Sequence, residues 1–401
     1  MIQSLSLKGF RLAKFHNNNN SRHGFREPLG VWNGTLENKM SSFGTRRDYS
    51  LTGASTPHAH AAGLVSANWY QTDIPRKTMK ALMTRSDAPA IRDTLLWLTL
   101  LALFAGLGYL TWGTLWAIPC FAIYGVLYGS ASDSRWHECS HGTAFKTRWM
   151  NDAVYQIASF MVFRESHVWK WSHARHHTDT IVVGRDYEIM AKRPVQIARL
   201  IAGLFGIPQT WGTLKSLLQH AGGDLSSEER NFIPQTEQIK VIRYARQTLL
   251  AHAAIIALAV HLQSFYLVMV LGVLPSMYGV WMAFIFGLTQ HAGLPENVLD
   301  HRLNCRTILM NPAFRFVYSN MNYHTEHHMF PMVPYHALPQ LHELMKAELP
   351  VVYPNTLSAI REMLPAILTQ ASDAEYEIQR PLPASANTDS HSTTTATNSA
   401  A

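Results

Sequence analysis

The run YHTEHHMFP, Tyr323 to Pro331, places His324, His327 and His328 at i, i+3, i+4. On a helix that spacing puts three imidazoles on one face of a single turn. WSHARHH repeats it with His173, His176 and His177, and HECSHG adds His137 and His141 at i, i+4. A buried imidazole needs a hydrogen-bond or metal partner, so three such clusters in one chain exceed what packing explains. They predict a metal site. With His291, in FGLTQHAGLP, the candidates number nine: His137, His141, His173, His176, His177, His291, His324, His327 and His328. One four-coordinate zinc would leave most of them idle, whereas two metals taking four or five each would use them all. Imidazole suits iron, copper, zinc and nickel alike, so ligand type leaves the metal open.

Such a site needs elements that bring distant histidines together, and the distribution of charge supplies them. No Asp, Glu, Lys or Arg occurs from Thr94 to Ser132, nor from Gln247 to Pro295. Each stretch is long enough to cross a hydrocarbon core of about 30 Å nearly twice or more. The expectation is four transmembrane helices in two hairpins. The first crosses near Leu95 to Tyr109, turns in GYLTWG and returns near Thr114 to Gly129. The second runs from about Thr248 to Gln290 and turns near His261 to Ser264. Lys and Arg are frequent between Asp133 and Arg246 and absent from the short turns. The positive-inside rule therefore places that middle segment and both ends in the cytoplasm. All three clusters and His291 then reach one cytoplasmic face. The predicted fold is an all-α integral membrane protein whose two hairpins carry a helical cytoplasmic cap holding a histidine-rich dimetal site.

Composition divides the rest. Residues 1–65, with an Asn run at 17–20 and a Ser/Thr/Ala/His stretch, read as a disordered extension, with an organelle transit peptide as the alternative. His16, His23, His58 and His60 there receive no role. Residues 66–93, where Trp69 and Tyr70 precede a basic amphipathic stretch, suit a helix on the membrane interface or an ordinary surface helix. Residues 94–371 form the membrane domain, and 372–401 a disordered tail. Within the middle segment Ile197 to Leu218 is apolar but interrupted by Gly and Pro. It reads as two short interfacial helices, because a fifth crossing would put the second and third clusters on opposite sides. His252 and His261 read as structural.

Several function classes recede. The net charge of +7 comes without a basic stripe interleaved with aromatics, so nucleic acid is not an expected partner. Cys120, Cys139 and Cys305 are too far apart for a CxxC, which gives no iron-sulfur cluster. Redox chemistry would then draw its electrons from another protein. HECSH satisfies the HExxH pattern of zinc proteases but leaves seven candidate ligands idle. A metal transporter would want ionisable residues along its spans, and both apolar stretches lack acids. Glu138, Glu165, Asp179, Asp186, Glu188 and Glu326 are candidates to orient ligand imidazoles from behind. His167, His301, His336 and His342 lie near the clusters but off the repeated spacing.

HECSHG, HARHH and NYHTEHHMFPMVPYHALP, in this order and between two hairpins, resemble the three histidine boxes of the membrane fatty acid desaturase and hydroxylase superfamily. The likeness covers roughly Asp93 to Pro350. It implies a non-haem diiron centre, two Fe ions that use O₂ and two supplied electrons to take hydrogen from an unactivated C–H bond. His291 matches the additional ligand that precedes the third box. Desaturation of an acyl lipid is the implied activity, with hydroxylation or oxygenation of a hydrocarbon or small metabolite as the alternative. QHAGLPENVLDHRLNCRT and GRDYEI are similar to a bacterial branch with the rhizobitoxine-type desaturase and a rhizopine-linked hydrocarbon oxygenase. The third box begins with His324 where front-end desaturases carry glutamine, and no HPGG motif marks a fused cytochrome b5 domain. A separate ferredoxin or rubredoxin with its reductase is the implied donor, or cytochrome b5 in a eukaryote. The bacterial cytoplasmic membrane is the expected location, the endoplasmic reticulum or a plastid envelope otherwise.

Overall fold

The computed structural model describes residues 47–65 and 68–383. This body is mostly helical, and its only strands among the described residues are Thr307–Ile308 and Val352–Tyr353, paired in parallel. The first long helix, Asp87–Leu110, has 24 residues and extends roughly 36 Å. Leu95, Leu96, Leu98 and Leu103 stand exposed along it. Among the described residues, the stretch Arg76–Leu110 holds the one helix long and apolar enough to cross a membrane unaided. The pair Val273–Gly279 and Trp281–His291 meets that test only when joined across a bend of 54°.

Of the other three legs the second and fourth are broken, and the third is one unbroken helix of 27 residues. After the turn at Gly113, where φ is +81°, the chain returns through Ala117–Gly125, a π-helical turn at Val126–Ser130, and Ala131–Ser140. A π turn holds an extra residue and rotates everything beyond it by about 100°, which sets where the first histidine pair points. The third leg, Gln235–His261, begins in charged sequence well before Thr248 and is followed by Gln263, whose φ is +47°. The fourth is broken into Phe265–Val270, Val273–Gly279 and Trp281–His291. Gly272, at φ +79°, separates its first two pieces.

Second and fourth legs cross backbone to backbone. A Cβ on Gly279 would fall 1.8 Å from the Gly125 carbonyl oxygen. Ser130 Oγ donates to Gly279 O at 2.6 Å and accepts from Ala283 N at 2.9 Å, so the crossing is hydrogen-bonded as well as close. Small residues at such a contact are the usual means of bringing apolar helices together where no water drives them.

Ile197–Leu218 forms two helices, Ile197–Gly203 and Ile207–Ala221, broken at Gly206 with φ +65°. Ile201, Phe205, Ile207, Trp211 and Leu218 face outward from them.

The folded body reaches further toward both ends than composition suggested. The part of the expected N-terminal extension before Arg47 lies outside the described residues, as does the tail beyond Pro383. From Arg47 onward the chain packs: Tyr49 clusters with Ile181, Val183 and Ile189, Leu51 is buried, and Ser55–Ala61 is helical. At the other end Arg380 is buried and donates to Cys305 O at 2.9 Å and Tyr353 Oη at 2.7 Å. A few specific anchors hold these polar segments, which an average over composition does not register. Trp69 likewise turns inward and stacks on His301 with ring centroids 4.3 Å apart, and Tyr70 Oη donates to Glu348 at 2.6 Å.

Candidate metal centre

The helix Ala131–Ser140 is buried on almost every side and presents His137, with His141 at its C-cap. Ser166–Thr178 carries His173, His176 and His177, and the six-residue helix His324–Met329 carries the third set. His291 ends the fourth leg. The structure gathers all nine into two groups. His137, His141, His173, His177 and His327 form one, and His176, His291, His324 and His328 the other, with ligand atoms in each group within 4.8 Å of one another.

The inward nitrogens crowd together at hydrogen-bond distance, and four of the rings have the outward nitrogen fixed by a protein partner. His173 Nδ1 faces Glu188 at 2.9 Å, so it carries the proton and leaves Nε2 bare. That Nε2 sits 3.2 Å from His141 Nε2 and 3.1 Å from His177 Nε2. In the second group His176 Nδ1 faces Asp186 at 2.7 Å, His291 Nδ1 faces Asn304 O at 2.8 Å, and His328 Nδ1 faces Thr180 Oγ1 at 3.1 Å. Their inward nitrogens converge, His324 Nε2 lying 2.9 Å from His291 Nε2. Neither nitrogen of His137 has a partner, nor has His328 Nε2. Buried lone pairs aimed at one another are unfavourable alone and become favourable around a cation.

The electrostatics fit the same end. Burial and neighbouring imidazoles hold His137, His173, His177, His324, His327 and His328 well below the usual histidine range, hence neutral and able to ligate. His176 departs upward: burial works against its charge, but the Asp186 carboxylate outweighs it. Asp186 is itself held below the carboxylate range; burial opposes this, but His176 and the backbone N–H groups of Glu188 and Ile181 prevail. Burial raises Glu188 to about 7.

Of the six carboxylates singled out, Asp186 and Glu188 contact candidate ligands. Glu326 instead bridges His342 Nδ1 at 2.5 Å and Thr307 Oγ1 at 2.7 Å, fixing the third-box helix against its surroundings. Asp179 pairs with Arg185 and Arg175. Glu138 turns away to Thr143 Oγ1 and Tyr335 N, on a different cavity from the one the histidines line, which disfavours it as the general base of an HExxH protease. Glu165 pairs with His220, a histidine outside every box: its nitrogens lie 2.7 Å from Glu165 and 3.0 Å from Glu229. Among the off-spacing histidines, His301 stands near His328 and Cys305 in a third small group. His167 packs by Tyr244 and His336 by Tyr335. Thr180 and the Asn304 carbonyl, which hold His328 and His291, carry no sequence signal at all.

A cavity of about 500 Å³ opens beside the centre. His137, His173, His176, His291 and His324 line one side, Phe284, Leu288 and Gly287 another, and Asp133, Arg164, Glu165 and Gln209 contribute polar atoms.

Across residues 114–357, more than half of the chain, the sequence matches the family described as Fatty acid desaturase. An omega-6 fatty acid desaturase of the endoplasmic reticulum from Brassica juncea is 30% identical over 91 residues, covering 23% of this chain and 22% of that protein. The chain thus aligns with about a fifth of that relative's length. A family match that spans all three histidine boxes makes the chain a member of the fatty acid desaturase family.

Proposed function

We propose that the protein is an integral membrane diiron oxidoreductase that desaturates an aliphatic chain, using O₂ and two electrons from a separate donor. One observation carries this: nine imidazoles gathered five and four, with four of them, His173, His176, His291 and His328, held by a protein partner at the outward nitrogen. Irons bound there would supply the oxidising power for an unactivated C–H bond. The chain's own residues do the positioning. Glu188 and Asp186 hold His173 and His176 by their Nδ1–H groups, and Thr180 and Asn304 O hold His328 and His291. The cavity brings a substrate against five of the nine rings.

In this reading the four legs cross the membrane as two hairpins, the broken fourth leg included, and the centre faces the cytoplasm of a bacterial cell. The chain's net charge of +7 suits an acidic ferredoxin or rubredoxin as donor. Insertion of oxygen into a smaller, more polar molecule is the second reading, favoured by the charged side chains in the cavity wall. Iron content and Mössbauer spectra of protein purified in detergent test the class. About two irons per chain with a coupled signal support it; one tight zinc without iron refutes it. Product analysis of host lipids and aliphatic metabolites then separates alkene from alcohol.

A further inference from the structure

Asp133 is the first charged residue after the uncharged stretch that ends at Ser132. It stands four residues before His137 on the helix Ala131–Ser140, so both lie on one face, about one helical turn apart. Both line the cavity. Its nearest cation, Arg164 Nη2, is 3.4 Å from Oδ1 without the alignment of a hydrogen bond, and the Arg164 guanidinium rests on the Trp136 ring at 4.8 Å. Asp133 Oδ1 is therefore a buried acceptor without a donor, and 20% of its side chain stays open. Gln209 Oε1, on the cavity wall from the helix Ile207–Ala221, is also buried and unpartnered. Two acceptors without a protein donor in one cavity are places where the donors of a ligand gain most. A plain hydrocarbon would leave both unpaired.

We infer that the substrate carries an N–H or O–H donor group, an amine before an alcohol, seated on Asp133 and Gln209, with its aliphatic part running toward the histidine centre. This rests on the proposed oxidation at that centre and narrows its substrate. The rise over the four residues from Asp133 to His137 is roughly 6 Å, so the reacting C–H bond lies a few carbons from the polar group and not in the middle of a long chain.

The test uses full-length, iron-loaded protein in lipid nanodiscs and four probes of equal chain length: dodecylamine, dodecanol, dodecanoate and dodecane. Binding is read by calorimetry, and iron per chain is measured on the same samples. Dodecylamine binds at least about tenfold tighter than dodecane and dodecanoate, the effect of one hydrogen bond to a charged group. Asp133→Asn lowers that preference to about threefold or less with iron per chain unchanged, and Gln209→Leu weakens both amine and alcohol. Should Asp133→Asn not fold, Gln209→Leu alone decides. Equal binding of all four probes, an amine preference untouched by the variants, or tightest binding of dodecanoate, which would make Arg164 the anchor, overturns the inference. Amine preference in a protein that holds no iron refutes the diiron reading and leaves the donor site standing.

Discussion

Asp186→Asn removes one charge and tests how the centre is held. Asp186 is fully buried; Oδ2 accepts from His176 Nδ1 at 2.7 Å and Ile181 N at 2.8 Å, and Oδ1 accepts from Glu188 N at 2.8 Å. An asparagine has one acceptor oxygen for these three donors. If that oxygen stays toward His176, the amide NH₂ meets the Glu188 N–H, donor against donor. If the amide flips, its NH₂ faces Ile181 N–H and His176, whose proton must then move to Nε2, the nitrogen needed by the metal. Either arrangement leaves a buried donor unpaired at a cost of about 1–3 kcal/mol, in line with the 10–100-fold affinity losses typical of such partners. The assay is chelator titration of iron-loaded protein followed by elemental analysis. The four-histidine group loses its iron at about 10–100-fold less chelator than in the parent, while the five-histidine group keeps its own. Equal release of both metals, or two irons held as in the parent, would refute the assignment of Asp186 to one group.

His220 is buried between Glu165 and Glu229, and although burial opposes its charge the two carboxylates raise its pKa from 6.5 to about 9. A raised folded-state pKa gives stability that is complete below 6.5 and lost as pH climbs through about 9. The melting temperature in detergent should fall over that window, and His220→Gln should flatten the slope; a parent protein equally stable at both ends sinks the idea. Gly279→Ala puts a methyl 1.8 Å from the Gly125 carbonyl, beyond what side-chain repacking absorbs, and should cost several kcal/mol with loss of a monodisperse peak on gel filtration. Gly106→Ala, with nothing within 4 Å of its Cβ, should instead raise stability by about 0.5–1 kcal/mol. Glu138→Gln should retain both irons and the oxidation activity, since Glu138 contacts Thr143 and Tyr335 and no candidate ligand; loss of oxidation with both irons held would refute that.

What sequence conveyed well was periodic. His324, His327 and His328 share a face because a helix repeats every 3.6 residues, and the uncharged runs coincide with the apolar legs. Contacts made by single, unpatterned residues were illegible. Nothing about Asn304 announces that its carbonyl holds His291, since every residue has one. His220 sits in no repeat, and only the fold brings Glu165 and Glu229 to it. The breaks in the fourth leg were hidden too, because hydropathy averages over Gly272 and the bend at Val280 without registering them. Trp69 misled for the opposite reason: next to a basic helix it has the composition of an interface anchor, yet its partner is His301, more than two hundred residues away.

The five-and-four division also bears on how the protein is made. As the chain leaves the ribosome, His137, His141, His173 and His177 emerge early, an open claw without its fifth finger. Neither group closes before His327 and His328 arrive, near the end of the folded body, and the strap through Arg380 comes later still. Both groups are thus complete only once the third box has been made. A ribosome stalled just before the third box leaves a product with four of the five ligands of one group and two of the four of the other.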